Sequence, residues 1–391
     1  MKLLRMLVLP VLIAGVVGPA LAGGGEGAVP SARVGRLVQE LRHQSARVRD
    51  RARVELDTIG QPAVREISAL VLNPEEDRAS REAGIIALGR IGGEEAARTL
   101  VALLKDSDKA IRRESARALG EAGEPSTAQD LVLTLQDAHP SVRLEAARAL
   151  NRLGSQEAES AFIQLLGDVD TDVRIASLDA LGTIQSERAI PSVEPLLKDP
   201  DEEVRKRAAR SLGSIGSGKG VQALLAALRD VEASVRIEAV QALGAVGDTA
   251  GVGPLLETLD SEDKNYKMAC ALALGAIGDK RATRPLEELL RDENINVRVH
   301  AIRGLGEIKD PASISSLAEM LRDQDTVVRM AAVEALGAIG TDEARRALTR
   351  VANDESGHIR KRAYEIMNLI SAGSPEHDME RETKEEGGET I

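Results

Sequence analysis

One string of residues, VRxxAxxALGxIG, recurs along almost the whole chain of 391 residues. Its last position repeats after 32 residues in the first step and after 31 residues in every later step. A fixed period of this length is typical of a solenoid, in which each unit buries its apolar face only against its neighbours. The sequence therefore predicts one stack of repeats rather than two or three globular domains. The positions counted are Gly60, Gly92, Gly123, Gly154, Gln185, Gly216, Gly247, Gly278, Lys309, Gly340 and Ser371.

Within a unit, two helical patterns are joined by a short polar turn. In the third unit, apolar residues at helical spacing predict a first helix from Ala96 to Leu104. Asp108 then stands where an N-cap is expected, and Gly123 stands where a left-handed residue commonly ends a helix. Between them, an apolar stripe follows one side of a second helix. Because Phe162 and two tyrosines are the only aromatic residues, the core must be aliphatic, and we predict an all-α fold.

A glycine stands inside the second helical pattern of eight units. Glycine in a helix interior costs about 1 kcal/mol relative to alanine. Because this cost recurs, we expect neighbouring second helices to approach too closely for a side chain at this position. The residues are Gly89, Gly120, Gly182, Gly213, Gly244, Gly275, Gly306 and Gly337.

An aspartate in the turn of most units stands six residues before an arginine of the second helix. A guanidinium group can bind two acceptors at once, so we interpret these residues as a ladder that ties one unit to the next. The alternative is a row of anion-binding arginines, but the regular pairing with aspartate favours the structural role. The pairs are Asp106 and Arg112, Asp137 and Arg143, Asp168 and Arg174, Asp199 and Arg205, Asp230 and Arg236, Asp292 and Arg298, Asp323 and Arg329, and Asp354 and Arg360.

The turn aspartates, the Val-Arg pairs such as Val142-Arg143 and the Ala-Leu-Gly runs such as that ending at Gly244 resemble those of HEAT repeat proteins. The resemblance extends roughly from Val34 to Ser371 and is to the short-repeat branch called PBS lyase HEAT-like. It implies a right-handed α-solenoid of about eleven 31-residue, two-helix repeats over residues 35–371. It also implies that the second helices line the concave side.

The two ends of the chain differ in composition from the repeats. Lys2, Arg5, a short apolar run and a small-x-small site at Ala20–Ala22 predict a signal peptide over residues 1–22. The apolar run is shorter than the ~20 residues that span a bilayer, and an uncleaved anchor is the alternative. We expect a flexible linker over residues 23–34 and an acidic disordered tail over residues 372–391. The signal predicts an exported protein of bacterial style, periplasmic or secreted, with no stable membrane insertion after cleavage.

The net charge limits the partners that the chain attracts. The whole sequence carries −12, and loss of Lys2 and Arg5 with the signal peptide would give −14. Such a chain has no broad attraction for phosphate backbones, so nucleic acid and anionic membranes are not expected partners. Cys270 has no second cysteine to pair with, and we interpret it as a small buried residue.

No set of residues typical of an enzyme stands out. The resemblance includes deoxyhypusine hydroxylase-like enzymes, whose metal sites use His-Glu pairs, but none of the five histidines here is followed by glutamate. It also includes phycobilin lyases, and nothing in the sequence identifies that activity. GxSxG, phosphate-loop, CxxC and HExxH motifs are absent. We therefore expect no catalytic residue, metal or cofactor, and an enzyme or enzyme subunit related to these relatives is the alternative function.

A partner is expected to contact the side of the second helices that points away from the core. The positions three, six and ten residues after the repeat's valine should lie on this concave surface. These positions predict a non-enzymatic scaffold that binds a protein or an extended peptide, in particular an acidic one. A plain solvated helix surface and self-assembly through the end units are the alternatives. The candidate binding residues are Arg117, Arg148, Arg152, Arg207 and Arg210 in the first half and Leu272 in the small, apolar second half.

Overall fold

The computed structural model describes residues 31–372, so the predicted signal peptide, most of the linker and the tail from residue 373 lie outside the described residues. The described part contains 22 α-helices and no β-strand. The helices form eleven units of a shorter first and a longer second helix, as the period predicts. The first helices are α1 (Ser31–Glu40), α3 (Val64–Leu72), α5 (Glu94–Leu103), α7 (Ala128–Thr134), α9 (Glu159–Leu165), α11 (Ile190–Val193), α13 (Val221–Ala227), α15 (Val252–Glu257), α17 (Thr283–Glu288), α19 (Ile314–Met320) and α21 (Asp342–Leu348). The second helices are α2 (Ala46–Ile59), α4 (Arg78–Ile91), α6 (Lys109–Ala122), α8 (Pro140–Leu153), α10 (Thr171–Thr183), α12 (Glu202–Ile215), α14 (Ala233–Val246), α16 (Lys264–Ile277), α18 (Ile295–Ile308), α20 (Thr326–Ile339) and α22 (Gly357–Ala372).

Polar caps and left-handed residues set the ends of the second helices. The carboxylate of Asp108 accepts a hydrogen bond from the Ala110 N–H at 2.9 Å, which is the N-cap predicted from the sequence. Gly123 ends the same helix with φ 71° and ψ 21°. Gln185 and Lys309 take this position in their units with φ of 52° and 56°, a left-handed conformation that costs a side-chain-bearing residue about 1 kcal/mol.

One aliphatic core runs through the whole array. Each second helix buries one side against its own first helix and another against the next second helix, as with Ile111 and Leu119 of α6. Neighbouring second helices contact each other far more extensively than neighbouring first helices do. Because the more closely packed row of a stack lies on the inside of its curve, we expect the second helices to form the inner row.

The recurring glycines mark the points of closest approach between second helices. A Cβ atom added to Gly213 would lie 2.8 Å from the Cα and Cβ atoms of Ala242, and one added to Gly120 would lie 2.7 Å from the Cα of Ala149. This confirms the predicted close approach. Three units have a polar side chain at this position. Asp57 and Asn151 each leave a buried Oδ1 atom without a hydrogen-bond partner, whereas Asn368 of the last unit is exposed. The α8–α10 contact beside Asn151 is accordingly less extensive than the contacts between second helices further along the array.

The ladder arginines connect units in a way that differs from the expected pairing. The Nη1 atom of Arg112 donates to the main-chain oxygen of Asp106 in its own unit at 2.8 Å. Its Nε and Nη2 atoms bind the carboxylate of Asp137, in the following unit, at 2.7 and 3.0 Å. The carboxylate partner therefore lies 25 residues further along the chain, because the twist of the stack brings the next turn alongside the helix. The other links of this kind are Arg81–Asp106, Arg143–Asp168, Arg174–Asp199, Arg205–Asp230, Lys267–Asp292, Arg298–Asp323 and Arg329–Asp354.

The ladder is interrupted between the seventh and eighth units. The residue 25 positions after Arg236 is Ser261. Among residues 31–372, Arg236 forms no ion pair with a carboxylate. Arg236 still donates to the main-chain oxygens of Asp230 and Val231, at 2.8 and 2.9 Å. Its guanidinium carbon lies 6.0 Å from the ring centre of Tyr266, at the outer limit of a cation–π contact. An aromatic contact therefore stands here in place of the ion pair found at the two neighbouring junctions.

Candidate interaction surface

The three helix positions predicted to face a partner are not equally open. The position ten residues after the repeat's valine is exposed, as with Arg152 in α8. The position six residues after it is exposed in Arg148 and in Leu272, which is 42% exposed, and half-buried in Arg117. The position three residues after the valine is largely covered, as with Ala269, because adjacent second helices pack closely there. The open positions form a continuous strip along the inner row, which we call the second-helix face.

Two of the predicted arginines are paired within their own helices. The Nη1 atom of Arg117 lies 2.7 Å from a carboxylate oxygen of Glu121, and the same guanidinium group also binds Glu114. Arg148 donates to Glu145 at 2.8 Å. These contacts are of the i,i+3 and i,i+4 type, which stabilises a helix by only a few tenths of a kcal/mol per pair. Their charge is balanced locally.

Two more predicted arginines link neighbouring helices. Arg207 of α12 donates to Asp179 of α10 at 3.0 Å and to Glu203 of its own helix at 2.8 Å. Hydrogen bonds from Lys206 and Arg207 hold the pKa of Glu203 below its usual value, so this carboxylate stays charged at neutral pH. Arg210 makes a two-point contact, at 2.8 and 2.6 Å, with Glu238 of α14.

Arg152 differs from the other four arginines. Among residues 31–372 it has no carboxylate partner, and its Nη2 atom would lie 2.7 Å from a Cβ atom added to Gly120 of the preceding second helix. In the first half of the second-helix face, four of the five predicted arginines are therefore paired with carboxylates and only Arg152 is not. The sequence, by contrast, predicts a cluster of free arginines.

The second half of the face contains a groove that sequence reasoning missed. It lies between α18 and α20, has a volume of about 520 Å³, and is lined by Val327, Met330 and Ala331 on one side. Arg303 and Glu307 line the other side, so this half is not uniformly small and apolar as expected. A signal for the groove exists in the sequence. We call the equivalent positions of successive units a column, and Val327 is a branched apolar residue in a column that holds small or polar residues in other units. Its side chain is 58% exposed.

The single cysteine and one helix histidine are further candidate groups. Cys270 is buried, and burial raises the pKa of its thiol to about 11, so it is protonated at neutral pH. The Nδ1 atom of His300 lies 2.6 Å from the main-chain oxygen of Asn296, one turn earlier in the same helix. Across residues 31–372, no three acidic, histidine or cysteine side chains converge as a metal site would require. None of the helices within this range combines the length and the apolar character of a membrane span.

The repeated two-helix units and their inner face define an α-solenoid. A family model described as HEAT repeats matches residues 34–113, 97–168, 159–236, 221–294 and 283–368. The chain therefore belongs to the HEAT repeat family.

Comparison with solved structures supports the same fold. A chain in the structure of Kap95p with RanGDP is 14% identical with a TM-score of 0.62, over 87% of this chain and 56% of that one. Importin beta, solved in an ammonium sulfate condition, is 16% identical with a TM-score of 0.56, over 86% of this chain and 61% of that one. The chain thus spans less than two thirds of each of these two proteins.

A third structure has a weaker likeness. A chain in the complex of CpcE and CpcF of phycocyanin lyase from Nostoc is 21% identical with a TM-score of 0.39, over 63% of this chain and 95% of that one. A search of curated proteins gave no match.

Proposed function

We propose that the chain is an exported, non-enzymatic scaffold that binds another protein along its second-helix face. The observation that carries this proposal is the groove between α18 and α20, where exposed Val327 and half-buried Met330 lie beside Arg303 and Glu307. Exposed apolar side chains with a charged rim are typical of protein-binding surfaces. The fold supports the same interpretation at the level of analogy, because Kap95p is a solenoid of this kind and binds RanGDP.

The groove and the paired charges favour a particular kind of partner. An extended or helical segment with apolar side chains fits the groove and supplies most of the affinity, because hot spots concentrate in desolvated pockets. Arg152, five units away in α8, is open to acidic residues elsewhere on the partner, whereas Arg117, Arg148, Arg207 and Arg210 already have acidic partners. The charged half of the face therefore contributes specificity and association rate more than affinity.

A capture experiment with matched variants tests the binding face. The full protein is used as bait against the exported fraction of the source cells, in parallel with Val327→Asp and with the Arg148→Glu/Arg207→Glu double variant. We expect Val327→Asp to weaken capture at least tenfold, equivalent to about 1.4 kcal/mol, and the double variant to weaken it less. Val169→Asp is the matched control, since Val169 is 90% exposed in the turn before α10 and does not line the groove.

Equal capture by the parent and by both face variants would reject the second-helix face as the binding site.

The same preparation tests export. A signal peptide over residues 1–22 requires the exported chain to begin at Gly23, which N-terminal sequencing reads directly. A chain that keeps Met1 and stays with the membrane fraction supports the anchor instead.

A further inference from the structure

The last unit leaves uncovered a position that every internal unit buries. Tyr364 of α22 occupies the column held by Val333 of α20, Ile302 of α18 and Ala271 of α16. Those three residues are fully buried, because the next unit packs over them, whereas Tyr364 is 64% exposed. Terminal repeats of solenoids are normally capped by a polar outer face. A large amphipathic ring at this position is unusual for an open end.

The ladder arginine of the last unit, Arg360, also lacks the partner that its equivalents have. Arg360 donates to the main-chain oxygens of Asp354 and Glu355, as the ladder arginines of internal units do to their own turns. In internal units the same guanidinium group binds a carboxylate of the following unit, as Arg329 binds Asp354 at 2.8 Å. Within the described range, Arg360 meets no carboxylate side chain. By analogy with the internal units, the guanidinium group of Arg360 can bind one carboxylate.

Helix α21 adds to the same surface. Arg345 takes a column held by buried Ile314 in the preceding unit, and exposed Ala352 takes one held by buried Leu321. We call the surface formed by Arg345, Ala352, Arg360 and Tyr364 the C-terminal end face. It combines an aromatic ring with Arg360 and with Arg345, whose Nε atom also donates to Asp342 at 3.4 Å, so it fits a segment rich in acidic residues.

We propose that the acidic segment of residues 373–391 folds back over the C-terminal end face, placing a carboxylate on Arg360 and covering Tyr364. This segment has seven acidic residues against Arg381 and Lys384, so its charge is complementary to the two arginines. Covalent attachment gives it an effective concentration on the order of millimolar, so a weak contact suffices. A segment of this composition binds without needing a packed core of its own.

The length of the segment is sufficient for this contact. Arg360 lies about 18 Å from the end of α22 at Ala372, since a helix rises about 1.5 Å per residue. An extended chain covers about 3.3 Å per residue, so about six residues lead back to Arg360. The sixth residue after Ala372 is Asp378, and five further acidic residues follow it.

The exposed ring provides a direct probe of the proposed cover. The sequence contains no tryptophan, so Tyr364→Trp introduces a single emitter on the end face of the full chain. Its emission maximum and its quenching by acrylamide are compared with those of the same variant ending at Ala372. A full-length variant with Asp378→Asn, Glu380→Gln and Glu382→Gln tests the charges without shortening the chain. Leu133→Trp, at a 62% exposed position of α7, is the control.

We expect the emission of the full chain to lie to the blue of that of both altered tails and to be less accessible to acrylamide. The difference should disappear near 1 M salt, where the screening length is about 3 Å, and the Leu133→Trp control should not respond to the tail. Identical emission from all three tails overturns the proposal. Emission that depends on protein concentration, with a doubled mass in light scattering, shows that a second copy covers the end face and also overturns it.

Discussion

At the scale of single residues, burial decides what an arginine does in this protein. Helix α8 shows the contrast within five positions. The side chain of Arg143 is 11% exposed and binds Asp168, itself 7% exposed, whereas that of Arg148 is 51% exposed and binds Glu145, which is 14% exposed. When a buried ion pair loses one partner, the desolvation cost of the remaining charge is no longer offset. Water screens an ion pair that has an exposed partner, so the loss of that pair costs less free energy.

This contrast predicts the effect of two substitutions on one helix. Arg143→Leu should lower the free energy of unfolding by about 3 kcal/mol, because Asp168 is left buried and unpaired. Arg148→Leu should change it by less than about 1 kcal/mol. Urea denaturation of both variants measures the difference. Equal losses for the two variants would contradict the assignment of Arg143 to the structure and Arg148 to the surface.

At the scale of helices, one column of residues sets how closely consecutive second helices pack. A glycine there permits backbone contact, whereas Asp57 and Asn151 hold the helices apart and bury an oxygen atom without a partner. The residue at this position in each unit therefore sets the distance to the neighbouring second helix.

Substitutions in this column should act in opposite directions. Gly213→Ala should destabilise the protein by about 2 kcal/mol, since its Cβ atom would overlap Ala242 and force the helices apart. Asn151→Gly should stabilise it by about 1 kcal/mol, because relief of a buried unsatisfied oxygen outweighs the small difference in helix propensity. Thermal unfolding of both variants checks the signs, with exposed Gln241→Ala as the control. A stabilising Gly213→Ala would show that the helices do not touch at this point.

The columns explain which features could be predicted from the sequence. The period, the two-helix unit, the cap at Asp108 and the close approach at Gly213 all depend on neighbours in sequence or on the repeat itself. The carboxylate partner of Arg112 could not be read from spacing alone, because it depends on how the stack twists. The pairing of Arg210 with Glu238 depends on rotamers of two adjacent helices in the same way. The position of the candidate surface could therefore be predicted from the sequence, but the pairing of its charged side chains could not.

At the scale of the whole molecule, the ladder makes stability depend on pH. Burial alone would raise the pKa of Asp137, but hydrogen bonds from Arg112 and from the His139 N–H outweigh it and lower the pKa. The pKa is lowered in the same way, against burial, for Asp168 by Arg143, for Asp230 by Arg205 and for Asp354 by Arg329. A carboxylate with a lowered folded-state pKa stabilises the fold above its unfolded pKa, near 3.9, and loses that contribution as the pH falls through the folded value.

The free energy of unfolding should therefore be level between neutral pH and about pH 5 and should fall steeply below about pH 4. Urea denaturation at a series of pH values measures this profile. Asp137→Asn separates the ladder from other carboxylates, because it should be less stable than the parent at neutral pH and approach the parent in acid. A gap between the two proteins that stays constant down to pH 2 contradicts a role for this ion pair.

The interruption of the ladder at Arg236 has a mechanical consequence. When the two ends of the array are pulled apart, the load passes through every junction in series. Neighbouring junctions resist it with an ion pair held inside the structure, and this one resists it with the face of Tyr266. The seventh and eighth units should therefore separate first, which divides the array under tension into two blocks that each stay intact.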